Sequence, residues 1–214
     1  MDKTNIEMPN WKSQIKTVDR KQLSADLETY KNLLIKWQKI KNLVSRETLN
    51  DISNRHFDDS LQILQYIPSN SQVIVDIGSG AGFPAIPLAI VTRGSGISYH
   101  LIESNKRKAA FLRTVSRKLG LKLQVHACRA EELDVESIGF VDVVTSRATA
   151  PLGKLLELAE PFWGGTTLGL FHKGREFGAE LAESRASWSF AVVDRVSKID
   201  LSGVILEIRQ LKLL

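Results

Sequence analysis

The residues with the clearest chemistry are Asp76-Ile77-Gly78-Ser79-Gly80-Ala81-Gly82-Phe83-Pro84. They follow a β-branched run, Gln72 to Ile77, and open a helical stretch, Pro84 to Val91. Glycines at a strand-to-helix junction let the backbone approach a ligand, and the helix N-terminus favours an anion. In open parallel sheets, ligands bind outside the carboxyl ends of the strands. The spacing discriminates between ligands. A dinucleotide fingerprint needs glycine at the first, third and sixth places. Here the sixth place is Phe83, and the third glycine arrives one residue early, at Gly82. No Gly-Lys-Ser/Thr follows, so the P-loop pattern fails as well.

Glu103 ends the next strand-like run. A carboxylate there can accept both hydroxyls of an adenosine ribose, which supports an adenosine cofactor without choosing one. After a third strand-like run comes Arg129-Ala130-Glu131-Glu132, where such folds line an adenine pocket. The Asp-x-Gly-x-Gly-x-Gly form of the glycine segment resembles motif I of class I S-adenosylmethionine-dependent methyltransferases.

These residues need a scaffold. Strand-like runs cover Gln72 to Ile77, Ser98 to Ile102, Lys122 to Ala127, Phe140 to Thr145 and Thr166 to Phe171. Helical stretches lie between them, at Pro84 to Val91, Asn105 to Leu119 and Leu152 to Glu160, with Gly120 placed to cap the middle one. Strands alternating with helices predict an α/β fold with a parallel sheet covered on both faces. Ser189 to Ser197 and Val204 to Leu213 read as a terminal antiparallel hairpin. Upstream, Leu27, Tyr30, Leu34, Trp37 and Ile40 share one helical face from about Ser24, with Asp26 and Glu28 in the first turn. A second helix is expected over Asp58 to Ile67, ending at Pro68. The organisation expected is an N-terminal arm and helical extension over 1–67 and a catalytic domain over 68–214. The first 22 residues, with a lone Trp11, read as a loosely docked arm.

Composition narrows the class. The chain has 214 residues, 43% of them hydrophobic and 25% charged, which suits one soluble domain with an appendage. The net charge of +5 permits an anionic partner without demanding one. No run approaches a membrane span, and the N-terminus lacks an apolar signal core. Cys128 is the only cysteine, so an intrachain disulfide and a cysteine-based metal site are excluded. A cytoplasmic protein without metal is expected.

A closer resemblance covers Trp37 to Gly174. The glycine segment with Ile86-Pro87-Leu88-Ala89, Glu103-Ser104-Asn105-Lys106-Arg107-Lys108, Phe111-Leu112-Arg113, Arg129-Ala130-Glu131-Glu132 and Thr145-Ser146-Arg147-Ala148 resembles the bacterial 16S rRNA guanine-N7 methyltransferase family, RsmG or GidB. Asn42-Leu43, Arg55-His56-Phe57 and Asp59-Ser60-Leu61 fit the same family. Ala85 departs from it, standing where the family usually carries glycine; a small backbone adjustment is expected. The resemblance implies a class I methyltransferase sheet, S-adenosylmethionine as cofactor, and cofactor contacts at Gly78, Phe83, Ala130, Glu131 and Arg147. Glu103 joins them on the ribose argument, and His56 and Arg147 are candidates for substrate contact. Arg147 is expected in the loop after the fourth strand.

The chemistry is consistent with what is missing. Amino-group methyltransferases often carry an Asn/Asp-Pro-Pro-aromatic motif after the fourth strand, where this chain has Thr145-Ser146-Arg147-Ala148. Pyrimidine C5 methylation needs a cysteine nucleophile, but Cys128 lies by the third strand. Guanine N7 has a free in-plane lone pair, so no general base is needed, and catalysis can come from positioning two reactants. The expected partner is 16S rRNA or the small ribosomal subunit, met by a monomer through Lys106, Arg107, Lys108, Arg113, Arg117, Lys118, Lys122 and Arg129. A small-molecule methyltransferase of the same fold and a non-catalytic cofactor- or RNA-binding domain are the alternatives.

Overall fold

The computed structural model describes residues 19–38, 43–44, 51–147 and 149–214, without the side chain of Asn54. Trp11, Ile40, Asn42, Ala148 and nearly all of the expected N-terminal arm lie outside the described residues.

Short β-branched runs with glycine or helix signals between them build the sheet. Its strands are β1 (Val73–Ile77), β2 (Ser98–Ile102), β3 (Leu123–His126), β4 (Val143–Arg147), β5 (Leu168–Lys173), β6 (Trp188–Val196) and β7 (Val204–Leu213). Their order is β3-β2-β1-β4-β5-β7-β6. β1 to β5 run parallel, and β7 pairs antiparallel with both β5 and β6. The sheet turns back on either side of β1, so the carboxyl ends of β1 and β4 flank a switch point, where such sheets bind ligands.

Alternating strand residues feed two cores. Ile74, Leu101, Val143 and Leu170 pack with α1 (Arg20–Gln38), α3 (Ala85–Val91) and α4 (Lys106–Leu119). Val75, Ile77, Val144 and Phe171 pack on the other face with α5 (Leu152–Ala159) and side chains of α6 (Phe177–Ser184). Both faces are thus covered, as a parallel sheet requires. Asn105 caps α4 by accepting from the N–H groups of Arg107 and Lys108, and Gly120 closes it in the left-handed conformation. Ala85 is fully buried at the start of α3.

Several boundaries differ from the sequence reading. α1 starts at Arg20, and Asp19 accepts the N–H of Lys21 there. Asp26 therefore sits in the helix middle rather than the first turn, buried and paired with Arg93. The charged Arg20-Lys21-Gln22 turn shows no apolar period, which hid it. The second helical segment begins earlier than Asp58: a wide π-helical turn, Ser53–Asp58, leads into α2 (Asp59–Leu61) and a 3-10 turn, Gln62–Tyr66. β4 and β5 each start later than expected. Phe140 is exposed, while Asp142 and Thr167 spend their side chains on backbone groups of Val73 and Val141. Arg147 is consequently the last residue of β4, not a loop residue. α6 has no counterpart in the sequence reading, and Ser184 is its one buried residue.

The N-terminal helices share the core of the sheet. Tyr30 is fully buried, stacks on Phe57 at 5.3 Å and Phe111 at 6.4 Å, and contacts Phe83 at 5.6 Å. Its hydroxyl donates to the carbonyl of Ala81, inside the glycine segment, at 2.6 Å. Replacing Tyr30 by Phe keeps the ring packing and strands a buried carbonyl, at a cost of about 1–3 kcal/mol. Urea unfolding of Tyr30→Phe should show that loss with an unchanged m-value; wild-type stability would mean that the bond holds nothing in place.

Candidate active site

The glycine segment wraps the carboxyl end of β1. Gly78 and Gly82 adopt φ of +67° and +97°. A Cβ on Gly78 would lie 2.3 Å from Thr149 Cγ2, and one on Gly82 would lie 2.3 Å from Ile86 Cδ1. Both positions therefore exclude any side chain, by backbone conformation and by space. The resulting cleft has a volume of about 530 Å³, and its walls include Gly78, Phe83, Glu103, Lys108, Arg147 and His56.

Glu103 follows β2 directly and is buried. Its Oε2 accepts the N–H of Gly80 at 2.8 Å and its Oε1 accepts the N–H of Asn105 at 2.7 Å. One carboxylate thus ties the glycine segment to the start of α4. Each oxygen keeps a second lone pair, which is what a pair of ribose hydroxyls would use. Beneath the loop, Asp76 is completely buried. Its Oδ1 accepts from Thr145, its register partner on β4, at 2.7 Å. Its Oδ2 has no hydrogen-bond partner. Burial pushes the Asp76 carboxyl up to about 7. Glu103, which lines the cleft with a lone pair left on each carboxylate oxygen, fits a cleft that takes the ribose of S-adenosylmethionine.

The far wall is built around Arg147. Its Nη2 donates to His56 Nδ1 at 2.6 Å and to the Arg55 carbonyl at 3.3 Å. Its Nη1 lies 3.2 Å from Asp59 Oδ2, an ion pair outside hydrogen-bond geometry. The guanidinium also sits 5.4 Å above the Phe83 ring, on which His56 stacks at 4.8 Å. Burial, and then the Arg147 and Arg55 charges, lower His56 to about 4. It is therefore neutral at pH 7, and its Nδ1 is an acceptor. The π-helical turn brings Arg55 and His56 to this wall, a use of such turns common at functional sites. Asp59 Oδ1 accepts from Gln62 at 2.7 Å, and Ser197 of the hairpin turn joins both.

A second cavity of about 370 Å³ also has Arg147 in its lining, at the carboxyl ends of β4 and β5. Arg147 and residues of the π-helical segment, β5, α6 and the β6–β7 turn line it. The cofactor candidates Gly78, Phe83, Glu103 and Arg147 and the substrate candidate His56 thus line one cleft. Ala130 and Glu131 do not line that cleft; they form a 3-10 turn after β3, with Glu131 3.4 Å from Lys154. The sequence reading missed Asp59, Lys173 and Glu180 at the second cavity. It also missed Gln38, whose amide holds Leu43 and Val44 against the first. Single polar side chains that clamp backbone or pair across elements leave no periodic signal. Cys128 is no thiolate, because burial and Glu132 raise its pKa. Lys106, Arg107, Arg113, Arg117, Lys118, Lys122 and Arg129 are exposed, and among the described residues none forms an ion pair.

A family model described as rRNA small subunit methyltransferase G matches residues 23–206. The chain belongs to this family. A ribosomal RNA small subunit methyltransferase G of Rhodospirillum centenum is 44% identical over 186 residues, covering 86% of this chain and 83% of that protein. One from Brucella ovis is 41% identical over 210 residues, covering 97% of each. Among solved structures, a precorrin-6y C5,15-methyltransferase from Geobacter metallireducens superposes with a TM-score of 0.53 at 12% identity, over 79% of this chain and 92% of that one. An rRNA methylase from Streptococcus thermophilus gives 0.50 at 12% identity, over 73% and 94%. These two share the class I methyltransferase fold with this member of the methyltransferase G family. Among the described residues no helix is long and apolar enough to cross a membrane, and no cluster of three metal-ligating side chains is present.

Asp76 gives this methyltransferase a pH signature. Its folded pKa, about 7, lies above the unfolded value of 3.8. Between those values the folded chain holds a proton that the unfolded chain has released, so stability falls as pH rises from about 4 to about 7 and levels above that. Asp76→Asn keeps an acceptor for Thr145 and cannot ionise. Thermal melting across pH 4–8, without ligand, should show the variant gaining on the wild type over that window. Parallel pH curves would place the Asp76 pKa at its ordinary value.

Proposed function

We propose that this chain transfers the methyl group of S-adenosylmethionine to N7 of a guanine in 16S rRNA, as a monomer in the cytoplasm acting on RNA of the small ribosomal subunit. One observation carries the reading: the cleft over the glycine loop and the second cavity share Arg147 as a common wall. A donor in the first and an acceptor base in the second meet at the carboxyl end of β4.

The donor supplies a methyl group activated by a sulfonium. Gly78, Phe83 and Glu103 would hold it, with Ala130 and Glu131 beyond the adenine end. Guanine N7 needs no deprotonation, and the site is consistent with that. His56, lowered to about 4, already accepts a hydrogen bond from Arg147, and Asp76 lies sealed beneath the loop. Neither is placed to take a proton from an acceptor. Arg147 stays protonated and offers planar donors suited to guanine O6, which neighbours N7. His56 reaches the acceptor through Arg147, as the residue that orients the fork. The unpaired cations of α4, with Lys108 at the cleft itself, give the RNA backbone an electrostatic track toward the site.

Arg147→Lys keeps the charge beside Asp59 and loses the fork to His56 and the Arg55 carbonyl. Single-turnover transfer should fall by about tenfold or more, each lost bond to a charged group contributing roughly 1.5–3 kcal/mol. A normal rate would make Arg147 a bystander, and loss of the folded state in melting would make it structural. Reversing Lys106, Arg107 and Lys118 to glutamate should weaken RNA binding and flatten its dependence on salt, with donor affinity kept. Unchanged RNA affinity would leave the helix a solvated face. The activity is tested by incubating the chain with labelled S-adenosylmethionine and ribosomal RNA. Label on N7 of a 16S guanine is expected; label on another atom, or none, contradicts the assignment.

A further inference from the structure

The second cavity contains an ion pair that the steps above do not use. Lys173 is the last residue of β5; its side chain is 8% exposed, and its Nζ contacts Glu180 Oε2 at 2.5 Å and the Ala150 carbonyl at 2.9 Å. Glu180, on α6, also accepts the N–H of Leu152 at the start of α5 through Oε2, at 2.6 Å. Oε2 is therefore committed twice, whereas Oε1 makes no hydrogen bond among the described residues. The ammonium likewise has three protons for two partners. Both side chains line the cavity that shares Arg147 with the donor cleft. Removing a cation and a carboxylate from water is costly, and apolar residues of similar size would fill the space at least as stably.

We propose that Lys173 and Glu180 read the acceptor base, an inference that rests on the guanine reading above. Guanine presents N7, O6 and N1–H in sequence around its ring: an acceptor, an acceptor and a donor. Adenine presents N7, a 6-amino group and N1: an acceptor, a donor and an acceptor. A fixed ammonium beside a fixed carboxylate is the complement of O6 beside N1–H and opposes adenine at both positions. Bases handled one at a time are commonly recognised along this edge. Lys173 donates its free proton to O6, and Glu180 Oε1 accepts from N1–H and the adjoining 2-amino group. N7 lies on the side of O6 away from N1, so the base enters with N7 leading toward Arg147 and the donor. The ion pair thus fixes both which purine is taken and which atom is presented.

Inosine lacks the 2-amino group and otherwise keeps guanine's edge, so it removes one of the two bonds to Glu180 and leaves the Lys173 contact to O6 in place. Single-turnover transfer is measured at saturating S-adenosylmethionine on 16S rRNA carrying guanine or inosine at the target position, for the wild type and for Glu180→Gln. Glutamine can still accept from Leu152. The wild type should lose about tenfold on inosine, the range for a hydrogen bond to a charged group. In Glu180→Gln the guanine-to-inosine ratio should fall toward one, with donor affinity unchanged. Equal ratios in the two proteins overturn the proposal, as does a wild type that treats both bases alike, a result that stands even if the variant does not fold. No transfer to guanine RNA by the wild type overturns the guanine reading and this assignment together, and so is told apart from transfer with an unaltered ratio.

Discussion

The structure depends on a buried guanidinium. Arg147 ends the central strand β4 with its side chain 18% exposed, inside a wall made by His56, Asp59, the Arg55 carbonyl and the Phe83 ring. A charge in that position is tolerated only because a carboxylate, two acceptors and an aromatic face surround it. Those partners come from two stretches of the chain, residues 55–59 and the glycine loop. Phe83 belongs to the glycine loop, His56 and Arg55 to the π-helical turn, and Asp59 to α2. Asp59 in turn engages Gln62 and, through Ser197, the turn between β6 and β7. The constraint of satisfying one cation draws the helical extension, the donor loop and the terminal hairpin to a single point. Two cavities then share it in their lining.

The helical extension is therefore part of the site rather than an attachment to it. Tyr30 crosses from α1 to the carbonyl of Ala81, and its ring is continuous with Phe57, Phe83 and Phe111. Aromatic packing of this kind buries large area in fixed geometry. It leaves the glycine loop no freedom toward the core, so the loop's open side is the one beside Glu103. The division at residue 67 follows chain order, while Tyr30, Leu34, Phe57 and Leu64 share one core with Ile86, Phe111 and Leu170.

What was legible in the sequence follows from physical range. Ser98 to Ile102 and Val204 to Leu213 are read to the residue, because runs rich in Val, Ile, Leu and Tyr bounded by polar turns determine them locally. The glycine loop was legible because positive φ and close packing require glycine at set spacing. β4 and β5 were read two or three residues early, because Asp142 and Thr167 look like strand residues until their side chains are seen capping backbone 70 and 26 residues away. That small shift moves Arg147 from a loop onto the end of β4 and puts Lys173 at the end of β5, with both side chains largely buried. The Lys173–Glu180 pair joins a strand to a helix that has no counterpart in the sequence reading, and no local pattern announces it.

This site works by placement. Burial lowers His56 to about 4 and seals Asp76 beneath the loop, Arg147 is held against Asp59, and methyl transfer to an unprotonated ring nitrogen asks for no general base. The claim that two cavities meet at Arg147 is tested most directly by a crystal structure of the chain with S-adenosylhomocysteine and a guanine-bearing RNA fragment. The account expects the homocysteine ligand over Gly78–Gly82 and the guanine between Arg147 and Lys173, with N7 turned toward the sulfur. An adenosine moiety in the second cavity, or a base bound away from Arg147, would contradict it.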